Sequence, residues 1–143
     1  MPHLVILYTP QLDKETNMDV LCRSLANTML AARDESDAAV FPPGGVRVLA
    51  FPAAHFAVAD DGSAGRAAGG TGDYAFVYLQ LRMANGRTAA THTRVGDALL
   101  KKTQTHFADI FEKRHIGITL QIDEGVPVYD AKHSNLHPLF NKV

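Results

Sequence analysis

Apolar residues open the chain as an unbroken run, His3-Leu4-Val5-Ile6-Leu7-Tyr8, which stops at Thr9-Pro10. A short run of this kind predicts a strand covered on both faces. The pattern then changes period. Met18, Leu21, Cys22, Leu25 and Met29 recur at helical spacing and predict a helix over about 17–33. Thr16, with Asp19 three residues later, reads as a capping box at its start. Pro42-Pro43-Gly44-Gly45 breaks the chain before a second strand over 46–51, which Pro52 ends.

Residues 60–72 are rich in Gly and Ala and have almost nothing to bury, which predicts a flexible loop. Alternation resumes at 73–83, where Ala75, Val77, Leu79, Leu81 and Met83 alternate with Tyr74, Phe76, Tyr78, Gln80 and Arg82. Asn85-Gly86 signals a turn. Val95, Leu99, Phe107, Ile110 and Phe111 then form one stripe of a long helix over 88–114. Ile116, Ile118, Leu120 and Ile122 share one face of a strand over 116–123. The tail, Asn135 to Phe140, predicts a short helical turn that docks on a neighbour.

The order is β-α-β followed by β-α-β. Each crossover carries a helix, so each half is expected to be a right-handed parallel unit. The prediction is one α+β domain over 1–143, with a four-stranded mixed sheet and two helices on one face. Tyr74, Phe76 and Tyr78 sit on the other face, which needs a cover, and oligomerisation is the simplest one.

Composition narrows the function. With 143 residues, 46% hydrophobic and 20% charged, the chain suits one soluble globular fold. A formal charge of −1 and scattered Lys and Arg give no reason to expect nucleic acid or an anionic membrane as partner. No apolar segment is long enough to span a bilayer, and the N-terminus has no basic leader, so a cytoplasmic protein is expected. Cys22 is the one cysteine, which excludes an intrachain disulfide and reads as core. The seven histidines lack ligand spacing, so no metal is expected, and His106 reads as a packing or hydrogen-bonding residue.

Chemistry enters at the second residue. A chain that begins Met1-Pro2 exposes, once methionine is removed, a secondary amine fixed in a ring. The α-amino pKa lies ordinarily at about 7.7–8.0. Burial and nearby cations would lower it and tune the amine to accept and return a proton near neutral pH. Taken alone, Pro2 reads as an ordinary second residue, and Arg47 and Arg87 as solvated surface charges.

Several segments, in register over nearly the whole chain, resemble the 5-carboxymethyl-2-hydroxymuconate isomerase family of the tautomerase superfamily. They are Pro2-His3-Leu4, Phe41 to Arg47, Asp73 to Val77, Gly86-Arg87, Thr105-His106-Phe107 and Asn135 to Phe140. The resemblance implies a tautomerase-like fold, a homotrimer, no cofactor and a place in bacterial breakdown of aromatic compounds. It puts Pro2 at the position of the family's catalytic proline, and Arg47 and Arg87 where two active-site arginines bind a carboxylate substrate. Guanidinium forks suit that role because they grip carboxylates in a bidentate way. The sequence departs from the family pattern at Leu49, where a second basic residue is common, and in the length of 60–72. The implied activity is a cofactor-free keto–enol, or 1,3-proton-shifting, isomerisation of a 2-hydroxymuconate-type dienol. The alternatives are a promiscuous tautomerase, a dehalogenase or hydratase of the same superfamily, and a catalytically silent trimer that binds a small acid or a protein.

Overall fold

The computed structural model describes residues 2–140. Strand β1 (His3–Tyr8) is followed by a 3₁₀ turn (Pro10–Lys14), helix α1 (Met18–Ala31), a second 3₁₀ turn (Pro43–Gly45) and strand β2 (Arg47–Pro52). The second half holds a short helix α2 (Ser63–Ala67), strand β3 (Ala75–Met83), helices α3 (Ala89–His106) and α4 (Ala108–Phe111), strand β4 (Ile116–Glu124) and a closing 3₁₀ turn (His137–Phe140). The four strands form one sheet in the order β2-β1-β3-β4. β1 runs parallel to β2 and β3 parallel to β4, while β1 and β3 meet antiparallel at the centre. The mixed sheet expected from two crossovers is therefore the observed one.

Period-2 alternation decides which face is buried. Leu4, Ile6 and Tyr8 of β1 lie opposite Leu81, Leu79 and Val77 of β3, and all are buried. Ile116, Ile118, Leu120 and Ile122 extend the same layer on β4, as do Val48 and Ala50 on β2. Leu21, Leu25 and Met29 of α1 and Val95 and Leu99 of α3 close over it, all at 3% exposure or less. A fully buried Leu or Met contributes about 1.5–3 kcal/mol, so this layer carries the stability of the fold. The opposite sheet face stays open in one chain, with Leu7, Leu49 and Phe51 between 46% and 49% exposed beside half-buried Phe76 and Tyr78.

Four local expectations are corrected. The cap of α1 is Asn17, whose side chain accepts from the Val20 N–H at 3.1 Å. Thr16 is not available for that task, because its hydroxyl pairs with His106 Nε2 at 2.8 Å. The long second helix ends at His106, because fully buried Phe107 leaves helical geometry with ψ near 8°. Phe111 is consequently half exposed, and Ile110 of α4 takes the inward position.

Residues 60–72 are not featureless. The Asp60 carboxylate accepts from the N–H groups of Gly62 and Ala64, and α2 follows directly. Gly65 is pressed onto Tyr74, donating its N–H to the phenol oxygen at 2.8 Å. A Cβ there would lie 2.6 Å from the Tyr74 ring, so Gly65 serves close packing. The C-terminal turn, finally, sits on its own chain: Phe140 and His137 pack against Gly44.

Candidate active site

β1 begins immediately after Pro2, which is buried. Met1, whose removal the chemistry of Pro2 requires, lies outside the described residues. His3 pairs in register with Arg47 of β2 on one side and with Arg82 of β3 on the other. Arg87 follows the end of β3 by four residues, just before the Thr88 cap of α3. The topology thus gathers Pro2, Arg47 and Arg87 at one end of the sheet. This happens because β1 and β2 both start there and antiparallel β3 ends there.

Both arginines are anchored to one connection, the segment between α1 and β2. Arg87 Nη2 donates to the Val40 carbonyl at 2.6 Å, across 47 residues of sequence, and Arg47 Nη1 donates to the Gly45 carbonyl at 3.0 Å. Val40 and Phe41 hold that connection in place, at 2% and 1% exposure. Each bond uses one nitrogen of a guanidinium that has five N–H donors, so donors remain for an acidic ligand. Among the described residues no hydrogen bond joins Pro2 to either arginine.

The local electrostatics disfavour added positive charge. Burial, then the Arg47 guanidinium, hold His3 below the usual imidazole pKa. His106 is also held below its usual value by burial, but it sits at the far end of α3, bonded to Thr16. Cys22 is half-buried against the core layer, and burial pushes its thiol pKa up, which does not suit a nucleophile. No group of three or more His, Cys, Asp or Glu is placed to hold a metal ion among the described residues. No described helix is long and apolar enough to cross a membrane.

One charged neighbour escaped the sequence reading. Arg82 occupies an outward position of β3, where strand alternation alone predicts any polar residue. Only the antiparallel register, which sets it beside His3, ties it to this end of the sheet.

Comparison with known proteins fixes the class. A solved 5-carboxymethyl-2-hydroxymuconate delta-isomerase shares 51% identity with this chain at a TM-score of 0.96, covering 100% of it and 95% of the other. A 5-carboxymethyl-2-hydroxymuconate isomerase from Deinococcus radiodurans R1 shares 30% identity at a TM-score of 0.80, over 99% and 95% of the two chains. The fold and these relatives define an isomerase of the tautomerase superfamily. The family model for 5-carboxymethyl-2-hydroxymuconate isomerase matches residues 2–140. The delta-isomerase of Escherichia coli is 26% identical over 140 residues, 98% of this chain and 99% of that protein. The chain belongs to the 5-carboxymethyl-2-hydroxymuconate isomerase family.

Proposed function

We propose that the protein ketonises 5-carboxymethyl-2-hydroxymuconate in aromatic catabolism, with the Pro2 amine as its acid/base group. The observation that carries this reading is a buried Pro2 at the head of β1, at the sheet end where Arg47 and Arg87 are anchored, in a chain of this family. The neutral amine takes the proton of the 2-hydroxyl. The O–H electrons form the 2-oxo group, the double bonds move along the chain, and the protonated amine returns a proton at the distal carbon. Arg47 and Arg87 hold carboxylates, and the one beside the 2-oxygen stabilises negative charge as the dienolate forms. The reading asks for no cofactor and places the enzyme in the cytoplasm.

It also makes the working unit a homotrimer. Leu7, Leu49 and Phe51 on the open sheet face, and Val126, Val128 and Tyr129 beyond β4, offer apolar surface for neighbouring copies. Such copies would shield the end of the sheet where Pro2 begins.

The test pairs intact-mass spectrometry with turnover on the same batch, for chains starting at Pro2 and chains retaining Met1. With methionine attached, the proline nitrogen is a tertiary amide whose lone pair is delocalised and which carries no proton. The processed chain is expected to turn over the substrate, and the unprocessed one to fold but stay inactive. Full turnover by protein shown to be wholly Met-retained removes Pro2 as the catalyst. Turnover of phenylenolpyruvate alone leaves a general tautomerase in place of the proposed substrate.

A further inference from the structure

Among the described residues Arg82 makes no ion pair. Its register neighbours are His3 on β1 and Asp123 on β4. Asp123 is the natural partner across the strand pair, yet its Oδ2 instead accepts from Gln80 Nε2 at 2.7 Å. The ion pairs found among the described residues involve His92, Arg114 and Lys132, and none involves Arg82. The Arg82 guanidinium rests against the bare Cα of Gly125, where a Cβ would stand 3.0 Å from Nη2. In a single chain its side chain is exposed, on the sheet face that also carries His3 and Arg47.

Resting on the function proposed above, we infer that Arg82 binds the carboxymethyl carboxylate of the substrate and so sets specificity for a tricarboxylate. A muconate brings two carboxylates and its carboxymethyl arm a third, whereas Arg47 and Arg87 supply two guanidinium forks. Arg82 is the next cation at this end of the sheet. Two strand spacings separate its Cα from that of Arg47, about 10 Å, which long arginine side chains can narrow to fit one small ligand. Asp123 Oδ2 is turned to Gln80, and among the described residues no ion pair ties Arg82 to a carboxylate, so its guanidinium donors are open to an anion.

The test compares Arg82→Gln and Arg82→Lys with the wild type on two compounds, 5-carboxymethyl-2-hydroxymuconate and 2-hydroxymuconate, which lacks the third carboxylate. Loss of one charge-assisted contact predicts a rise in KM for the tricarboxylate of about ten- to a hundredfold in Arg82→Gln, with kcat little changed. KM for 2-hydroxymuconate is expected to move far less, and Arg82→Lys to recover part of the loss. Equal effects on both compounds, an unchanged KM for the tricarboxylate, or a change of oligomeric mass in light scattering would each overturn the assignment. A wild type inactive on both compounds sinks the proposed function and this inference together. An active wild type with an unaffected Arg82→Gln sinks this inference alone.

Discussion

Arg87→Ala separates two roles that the geometry superposes. The side chain is half-buried, and its Nη2 bond to the Val40 carbonyl at 2.6 Å ties the start of α3 to the connection before β2. Losing a hydrogen bond from a charged donor costs about 1.5–3 kcal/mol. For a chain of this size that lowers Tm by roughly 3–12 °C. A purely structural strap would stop there. If the remaining donors of the guanidinium also grip a carboxylate or the developing oxyanion, kcat/KM falls as well, by roughly ten- to a thousandfold. Arg87→Lys distinguishes the two: an ammonium can still reach the Val40 carbonyl but cannot make the planar two-point grip. It is therefore expected to regain most of the Tm while recovering little of the rate. Calorimetry and steady-state kinetics on the three proteins decide the matter. An Arg87→Ala enzyme with reduced Tm and wild-type kcat/KM would refute the catalytic half of the argument.

Gly65→Ala forces a methyl to within 2.6 Å of the Tyr74 ring and strains the bond to the phenol oxygen. Overpacking of this kind costs about 1–3 kcal/mol, and limited trypsin digestion should then cut faster at Arg66 than in the wild type. Light scattering should give about three times the 15.5 kDa chain mass at micromolar concentration, as expected when a lone chain leaves an apolar sheet face open. A stable monomer there would remove the cover on which a shared active site depends.

The periodic parts of the fold were legible because burial imposes a period. Ala75 to Met83 reads as a strand since every second residue is buried, and the α1 stripe at Leu21, Leu25 and Met29 is inward as predicted. Errors fell where a single side chain had two possible partners. Thr16 reads as a cap until the fold brings His106 within 2.8 Å, from 90 residues away. Phe107 fits a helical stripe, yet its complete burial is met by leaving the helix there, which turns Phe111 outward. Segment 60–72 looked empty because the residue that packs closely on Tyr74 is a glycine, Gly65. None of these facts is local in sequence.

The candidate site shows the same division. Pro2 could be singled out from chemistry, because the position of a proline beside the initiator methionine is itself the signal. Arg47 and Arg87 carry no such mark, and in the sequence only the resemblance points to them. What the fold adds is a physical reason for those two arginines: both are tethered to backbone carbonyls of the Val40–Gly45 connection, which the buried Phe41 holds rigid. A tether at one nitrogen limits the entropy lost when the remaining donors close on a ligand, since the long side chain is already ordered. Among the described residues Arg82 has no such hydrogen-bonded tether, and it rests against Gly125. The three arginines thus differ in preorganisation. That difference fits two fixed groups holding the reacting end and a more mobile one reading a substituent arm.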